Sequence, residues 1–215
     1  MKSRSEDAAV DAFWRQWERS RPALERWIAA GGSGVDEKLE AEARRIGRAL
    51  TIVNPGLRWE AGASDDSSFE FTVSPNRTPG LVEICQQVVR GAPRSHGWTF
   101  VSFRRRRELP KTVEIEREIG PVSVRIDNWQ YSLTSFQGGE FFDVTLVAGS
   151  SAESVETADL EFAGVLCLEF ALGEEALIRD IDRISVVREP GADADRLSSV
   201  QSLHKHIELL RSKRD

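Results

Sequence analysis

The chain has 215 residues, of which 40% are hydrophobic and 30% are charged, and its formal net charge at pH 7 is −6. A chain of this length can bury a hydrophobic core without disulfides or metal ions, either as one domain or as two small ones. The acidic balance argues against broad affinity for a nucleic-acid backbone and is compatible with a basic partner.

The first 53 residues predict a helical segment that packs on the core. Residues 6–29 place large apolar side chains at helical spacing, and Ser20 with Pro22 predicts a kink or a fresh helix start. The stripe consists of Val10, Phe13, Trp14, Trp17, Leu24, Trp27 and Ile28. Such a stripe is either a binding face for a partner or a membrane surface, or the packing face of helices docked on the domain. The docked interpretation is favoured because each tryptophan side chain can bury a large area. A Gly-rich connection at 31–34 separates this stretch from a second amphipathic helix at 35–53.

Residues 54–107 predict a first strand–strand–helix–strand half. Apolar and polar residues alternate from Phe69 to Val73, which places Glu70 and Thr72 on the side of the sheet away from the core. We expect Thr78 to cap the following helix and Gly91, in a left-handed conformation, to end it. The next strand, over 98–103, is apolar on both faces and is typical of a covered strand.

A second half with the same order is predicted at residues 122–189, after a connection or edge strand at 108–121. Residues 122–126 alternate as a strand, and a hairpin turns at Gly138 and Gly139. The following helix is apolar almost all round and should lie deep in the structure before the last strand at 181–187. The order resembles half of a ferredoxin-like split arrangement. We therefore predict an α+β fold in which two halves share one mostly antiparallel sheet, with helices on one face.

Residues 190–215 predict a linker and a C-terminal helix with a narrow apolar seam. Its residues are Val200, Leu203, Ile207 and Leu210. Docking on its own domain is the favoured interpretation because short coiled coils are marginal, and a homodimer formed through this seam is the alternative.

The two cysteines bear on the compartment. Cys85 and Cys167 each lie inside an apolar helical pattern. We interpret them as buried reduced thiols rather than a disulfide, and this interpretation favours a reducing compartment. The N-terminus lacks the apolar stretch of a signal peptide, and no later stretch is long and uncharged enough to span a bilayer. We expect a cytoplasmic protein without a membrane segment.

No sequence motif specifies a reaction. The sequence contains no nucleophile elbow, phosphate loop or paired-cysteine motif, and we assign no catalytic residue, metal ligand or cofactor. A small carboxylate-dependent hydrolase or transferase is the alternative, with Glu169 in its apolar helix or the loop residue His96 as its acid or base. Against it, Glu169 can share one solvated helical strip with Glu161, and lone loop histidines are usually exposed.

The polar sides of the predicted strands form the favoured binding surface, provided that they align. They carry Glu70, Thr72, Arg125, Asp127, Asp143 and Thr145. A solvated sheet face has the same sequence pattern. RNA binding through Arg104, Arg105, Arg106 and Arg107 is a further alternative, because arginines after an aromatic strand can hold phosphates. Here we expect the aromatic residues of that strand to be buried, which disfavours RNA.

Three short motifs resemble an uncharacterised bacterial family, a domain of unknown function with ferredoxin-like organisation. They are Phe13-Trp14-x-x-Trp17, Ala92-Pro93 followed by Trp98-Thr99-Phe100, and Leu172-Gly173-Glu174. The similarity runs from about residue 10 to residue 188 and implies an α+β cytosolic protein without established activity or catalytic residues. We predict a non-enzymatic protein-interaction or regulatory module of the bacterial cytosol, for example an immunity-type protein.

Overall fold

The structure, a computed structural model, describes residues 4–32, 34, 36–64, 68–118, 120–191 and 196–212. They have a mixed α+β fold, as the sequence predicts. The chain divides into two units, Met1–Arg104 and Arg105–Asp215. Within the described ranges, no helix combines the length and the apolar character that crossing a membrane requires.

The first unit contains a three-stranded sheet and its helices. The helices are α1 (Arg4–Ala29), α2 (Glu37–Val53) and α3 (Val82–Arg90), and the strands are β1 (Arg58–Ala63), β2 (Phe69–Ser74) and β3 (Trp98–Ser102). β1 pairs antiparallel with β2, and α3 connects β2 to β3, which lies parallel beside it. α1 runs through Pro22 without ending, so the predicted fresh helix start is wrong.

The aromatic stripe of α1 is the packing face of this unit. Phe13 and Trp17 are fully buried, and Trp14 is 4% exposed. The rings of Trp17 and Trp98 meet edge to face with centroids 5.1 Å apart, and those of Trp14 and Phe100 lie 5.0 Å apart. Edge-to-face contacts of this kind add to the stabilisation from burial. The docked alternative is therefore confirmed for these residues.

Two predicted end signals of α3 work differently in the structure. Thr78 precedes the short turn Pro79–Leu81 that leads into α3, but its side chain makes no capping bond. Gly91 ends the helix with φ −83°, so the predicted left-handed conformation is wrong. A Cβ atom on Gly91 would lie 3.0 Å from Cγ1 of Val10. The glycine thus permits a close approach of α1 rather than a special turn.

The second unit contains two sheets. Its strands are β4 (Thr112–Ile115), β5 (Val122–Arg125), β6 (Gln130–Phe136), β7 (Phe141–Val147), β8 (Ile181–Val187) and β9 (Ser198–Ser199). Its helices are α4 (Thr157–Leu172), α5 (Glu174–Asp180) and α6 (Leu203–Ser212). Four strands form a sheet in the order β8-β7-β6-β9, while β4 and β5 form a separate hairpin. β6 and β7 are antiparallel, and β7 and β8 are parallel.

The predicted shared sheet is wrong, because the described strands form three sheets and none takes strands from both halves. Each half also pairs its two parallel strands directly, β2 with β3 and β7 with β8, whereas a split arrangement has another strand between them. The predicted strand at 122–126 belongs to the β4–β5 hairpin. This hairpin packs on the core of the second unit through Val113, Ile115 and Val124.

α4 lies deep in the second unit, as its apolar pattern predicts. It contacts β8 and both strands of the hairpin. A Cβ atom on Gly164 would lie 2.5 Å from Cγ2 of Val186, so the glycine permits close contact between helix and sheet. The C-terminal seam joins the same core, with Val200, Leu203 and Ile207 at most 4% exposed and Leu210 packed against it. The seam residues are therefore engaged within their own unit.

Candidate functional site

The six residues predicted to line one binding surface lie in three different sheets. Glu70 and Thr72 are on β2, Arg125 and Asp127 are at the end of β5, and Asp143 and Thr145 are on β7. They therefore do not lie on one sheet. The prediction required the strands to align, and within the second unit β5 and β7 pair with different strands.

Four of the six residues form two hydrogen-bonded pairs. Thr72 is 5% exposed, and its hydroxyl is 3.5 Å from the Glu70 carboxylate, which accepts the hydrogen bond. Arg125 donates to both carboxylate oxygens of Asp127, at 2.7 Å and 3.3 Å. These hydrogen bonds lower the pKa of Asp127 and raise the pKa of Arg125. The charges of this pair therefore offset each other.

Asp143 and Thr145 lie on the outward side of the four-stranded sheet. Along β7, the inward residues Phe142, Val144 and Leu146 are buried in the core, and period-two alternation turns Asp143 and Thr145 to the opposite side. The register places Thr134 of β6 and Arg183 of β8 on either side of Asp143.

The helices of this unit meet the inward side of the sheet. Gly164 of α4 approaches the inward residues Leu146 and Val186. His206 of α6 has Nδ1 2.8 Å from the hydroxyl of Tyr131, which is opposite Leu146 in the register. Burial raises the pKa of this tyrosine. Neither α4 nor α6 therefore covers the outward side around Asp143.

An exposed aromatic residue lies at the turn end of this outward side. Phe136 is 43% exposed and pairs in register with the half-buried Phe141 across the β6–β7 hairpin. Sequence reasoning missed this pair. The signal was the alternation itself, since Phe141 is two residues from Asp143 and Phe136 is two residues from Thr134. We call Thr134, Phe136, Phe141, Asp143 and Arg183 the β7 surface.

A bulge shapes the centre of the β7 surface. Phe142 pairs with Ile181, but Asp143 pairs with Arg183, so Asp182 is an extra residue on β8. Bulges re-aim side chains and are frequent beside functional sites. Oδ1 of Asp143 is enclosed and accepts no hydrogen bond from the residues that the structure describes.

The acidity of the chain belongs to the second unit. Residues 105–215 contain 14 Lys and Arg and 21 Asp and Glu, a net charge of −7, whereas residues 1–104 contain 15 and 14, a net charge of +1. The β7 surface therefore lies in a unit whose field attracts cationic groups.

The residues of the enzymatic alternative are not among the residues of the β7 surface. His96 is exposed in the loop before β3, and Glu169 is half-buried on α4, where Glu161 is exposed. Within the described ranges, no group of three or more His, Cys, Asp and Glu side chains could hold a metal ion. His204 lies 3.1 Å from Glu208 on its own helix.

The arginine run differs in exposure along its length. Arg104 is half-buried and ion-paired with Glu60, and the side chains of Arg105, Arg106 and Arg107 are exposed. The aromatic residues before the run are not available for base stacking, because Trp98 is 7% exposed and donates a 2.8 Å hydrogen bond to Glu25, and Phe100 packs against the same core. The predicted burial is confirmed for Trp98 and Phe103, whereas Phe100 is half-buried.

Comparison with protein-family models finds no match to this chain, and comparison with curated proteins finds none either. The bacterial family that the three short motifs resemble therefore stays a prediction.

Proposed function

We propose that the chain is a non-enzymatic protein-interaction or regulatory module whose second unit binds a basic protein through the β7 surface. The observation that carries the proposal is the exposed ring of Phe136 on the same side of the sheet as Asp143, whose Oδ1 accepts no hydrogen bond from any described residue.

The chemistry of this surface suits a protein partner. Aromatic side chains dominate the binding energy of many interfaces, and Phe136 supplies one with Phe141 beside it. The negative charge of Asp143, whose enclosed Oδ1 accepts no hydrogen bond from a described residue, would attract an arginine or lysine of the partner. The net charge of −7 in this unit would speed the encounter with a basic protein at low salt.

The compartment and role follow from the same proposal. The bacterial cytosol is supported by Cys85 and Cys167, which are both buried and not joined in a disulfide. An immunity-type protein is one form that such a module takes.

The test compares proteins retained from a native lysate by the wild-type chain and by Phe136→Ser, Asp143→Asn and Phe162→Ser. Phe162 is the matched control because it lies on α4 and is also 43% exposed. With the purified partner, Phe136→Ser should weaken binding about thirtyfold, the effect of a central aromatic residue. Retention of the same basic protein by Phe136→Ser and Asp143→Asn as by the wild type would contradict the proposal, as would retention of no partner by the wild type.

A further inference from the structure

The first unit contains an apolar pocket between α1, α2 and β1 that the proposed function does not use. Its volume is about 370 Å³, within the range of small-molecule sites. It is lined by Leu24, Trp27, Leu39, Ala43, Trp59, Glu60 and Ala61. The one charged group is Glu60, which is ion-paired with Arg104. The pocket therefore offers two indole rings and aliphatic walls.

A second compartment of about 290 Å³ adjoins the first and shares Trp27 and Leu39 with it. Its lining includes Arg26 and Lys38, which are exposed and form no ion pair with any residue that the structure describes. The carboxylate of Asp36 also lines it, but it accepts a 2.7 Å hydrogen bond from the amide of Leu39 as the cap of α2.

The first compartment is lined mainly by apolar side chains, and the second carries the two cations Arg26 and Lys38. Trp27 lines both of them together with Leu39, and the indole Nε1–H of Trp27 has no acceptor among the described residues. A ligand that fits both compartments carries a hydrocarbon segment at one end and a negative charge at the other. A cationic head would instead meet two cations, Arg26 and Lys38, against the single carboxylate of Asp36, which already accepts the amide hydrogen bond of Leu39.

We propose that this site binds a single-chain carboxylate amphiphile. The alkyl chain lies against Trp27 and Trp59 in the apolar pocket, and the carboxylate accepts hydrogen bonds from Arg26 and Lys38. Arginine and lysine both form charge-assisted hydrogen bonds with carboxylates. The site is independent of the β7 surface, so failure of either proposal leaves the other standing.

The test is calorimetric titration of the full chain with hexanoate, octanoate and decanoate, each below its micelle concentration. Burial of each added CH₂ should tighten Kd about fourfold until the pocket is filled. Decylammonium, which has the same chain and the opposite charge, should bind at least about tenfold more weakly than decanoate. Quenching of tryptophan fluorescence should follow the same order, because Trp27 and Trp59 line the site.

Variants separate the two compartments. Ala43→Phe should fill the pocket and abolish the dependence on chain length, whereas Arg26→Gln and Lys38→Gln should each weaken decanoate binding about threefold to tenfold while hexanoate, octanoate and decanoate keep their order. Arg48→Gln is the matched control, because Arg48 is an exposed arginine on α2, the helix of Lys38, and does not line the site. It should leave the affinity for decanoate unchanged. The glutamine variants change exposed side chains, so they remain informative if Ala43→Phe does not fold.

Three results would overturn the proposal. They are an affinity that does not depend on chain length, decylammonium binding as tightly as decanoate, and sedimentation showing self-association that Ala43→Phe abolishes and decanoate does not reverse. The last result would assign the pocket to a second copy of the chain.

Discussion

The two units of this protein build the same order of elements around different cores. In each, a β-hairpin is followed by a helix and a strand that returns parallel to the second hairpin strand. The first unit fills its core with aromatic rings from α1 and from its sheet, whereas the second packs mainly aliphatic side chains from α4, α6 and the β4–β5 hairpin. Much of each core is therefore filled by segments that the other unit lacks, namely α1 in the first unit and α6 with the β4–β5 hairpin in the second.

The connecting helices show this difference directly. α3 has 9 residues and α4 has 16. Only one stripe of α3 is apolar, which suits a helix laid on a sheet. α4 is apolar almost all round because it contacts both β8 and the β4–β5 hairpin. The same position in the order of elements thus holds helices with different surroundings.

We expect the largest loss of stability from replacing one buried tryptophan in each core. Trp17 and Trp129 are both fully buried, but Trp17 contacts the rings of Trp14, Phe71, Trp98 and Phe100. We expect Trp17→Ala to lower the free energy of unfolding by about 5 kcal/mol and Trp129→Ala by about 3 kcal/mol, because ring pairs add to the cavity cost. Urea unfolding, with hydrogen exchange of β2 and β7 amides, measures both. Equal losses would show that the aromatic contacts add nothing to burial.

A smaller change in stability is expected from replacing one helical glycine in each unit with alanine. Gly164→Ala would place Cβ 2.5 Å from Val186, whereas the Cβ of Gly47→Ala in α2 would lie at an ordinary 3.7 Å from Trp59. We expect Gly164→Ala to lower stability by about 1–2 kcal/mol through overpacking, and Gly47→Ala to raise it by about 0.5–1 kcal/mol through helix propensity. Thermal and urea unfolding of both variants check the prediction. Stabilisation by Gly164→Ala would mean that α4 does not lie so close to β8.

A smaller effect concerns the buried thiol of α4. Burial raises the pKa of Cys167 from 9.0 to about 12. A folded-state pKa above the unfolded value stabilises the fold below about pH 9, and this contribution is lost as pH rises toward 12, by about 1.4 kcal/mol per pH unit. Between pH 8 and 10.5 we expect the wild type to lose about 2 kcal/mol more stability than Cys167→Ala, measured by urea unfolding. Parallel losses in both chains would contradict this assignment.

The sequence predicts the order of elements well and their assembly less well. Period-two alternation identified β2 and the inward side of β7, and helical spacing identified the packing face of α1. Pairing between distant strands leaves no local signal, so the predicted shared sheet was wrong, and the six residues predicted for one binding surface lie on three sheets. β5 shows why, because its alternation fits the small hairpin and the large sheet equally well.

The candidate site was predictable in part. Of the β7 surface, Asp143 was predicted, since the alternation required only the strand. Phe136 was missed because its exposure depends on which helices cover the sheet, and the bulge at Asp182 was missed because a period-two pattern contains no extra residue.

The most direct test of the interaction surface is photo-crosslinking from two equally exposed positions of the second unit. A benzophenone amino acid replaces Phe136 in one chain and Phe162 in another, and each chain is irradiated in native lysate. Attachment of a basic protein from position 136, and not from position 162, is the result that we predict. Identical adducts from both positions, or none from position 136, would contradict the account.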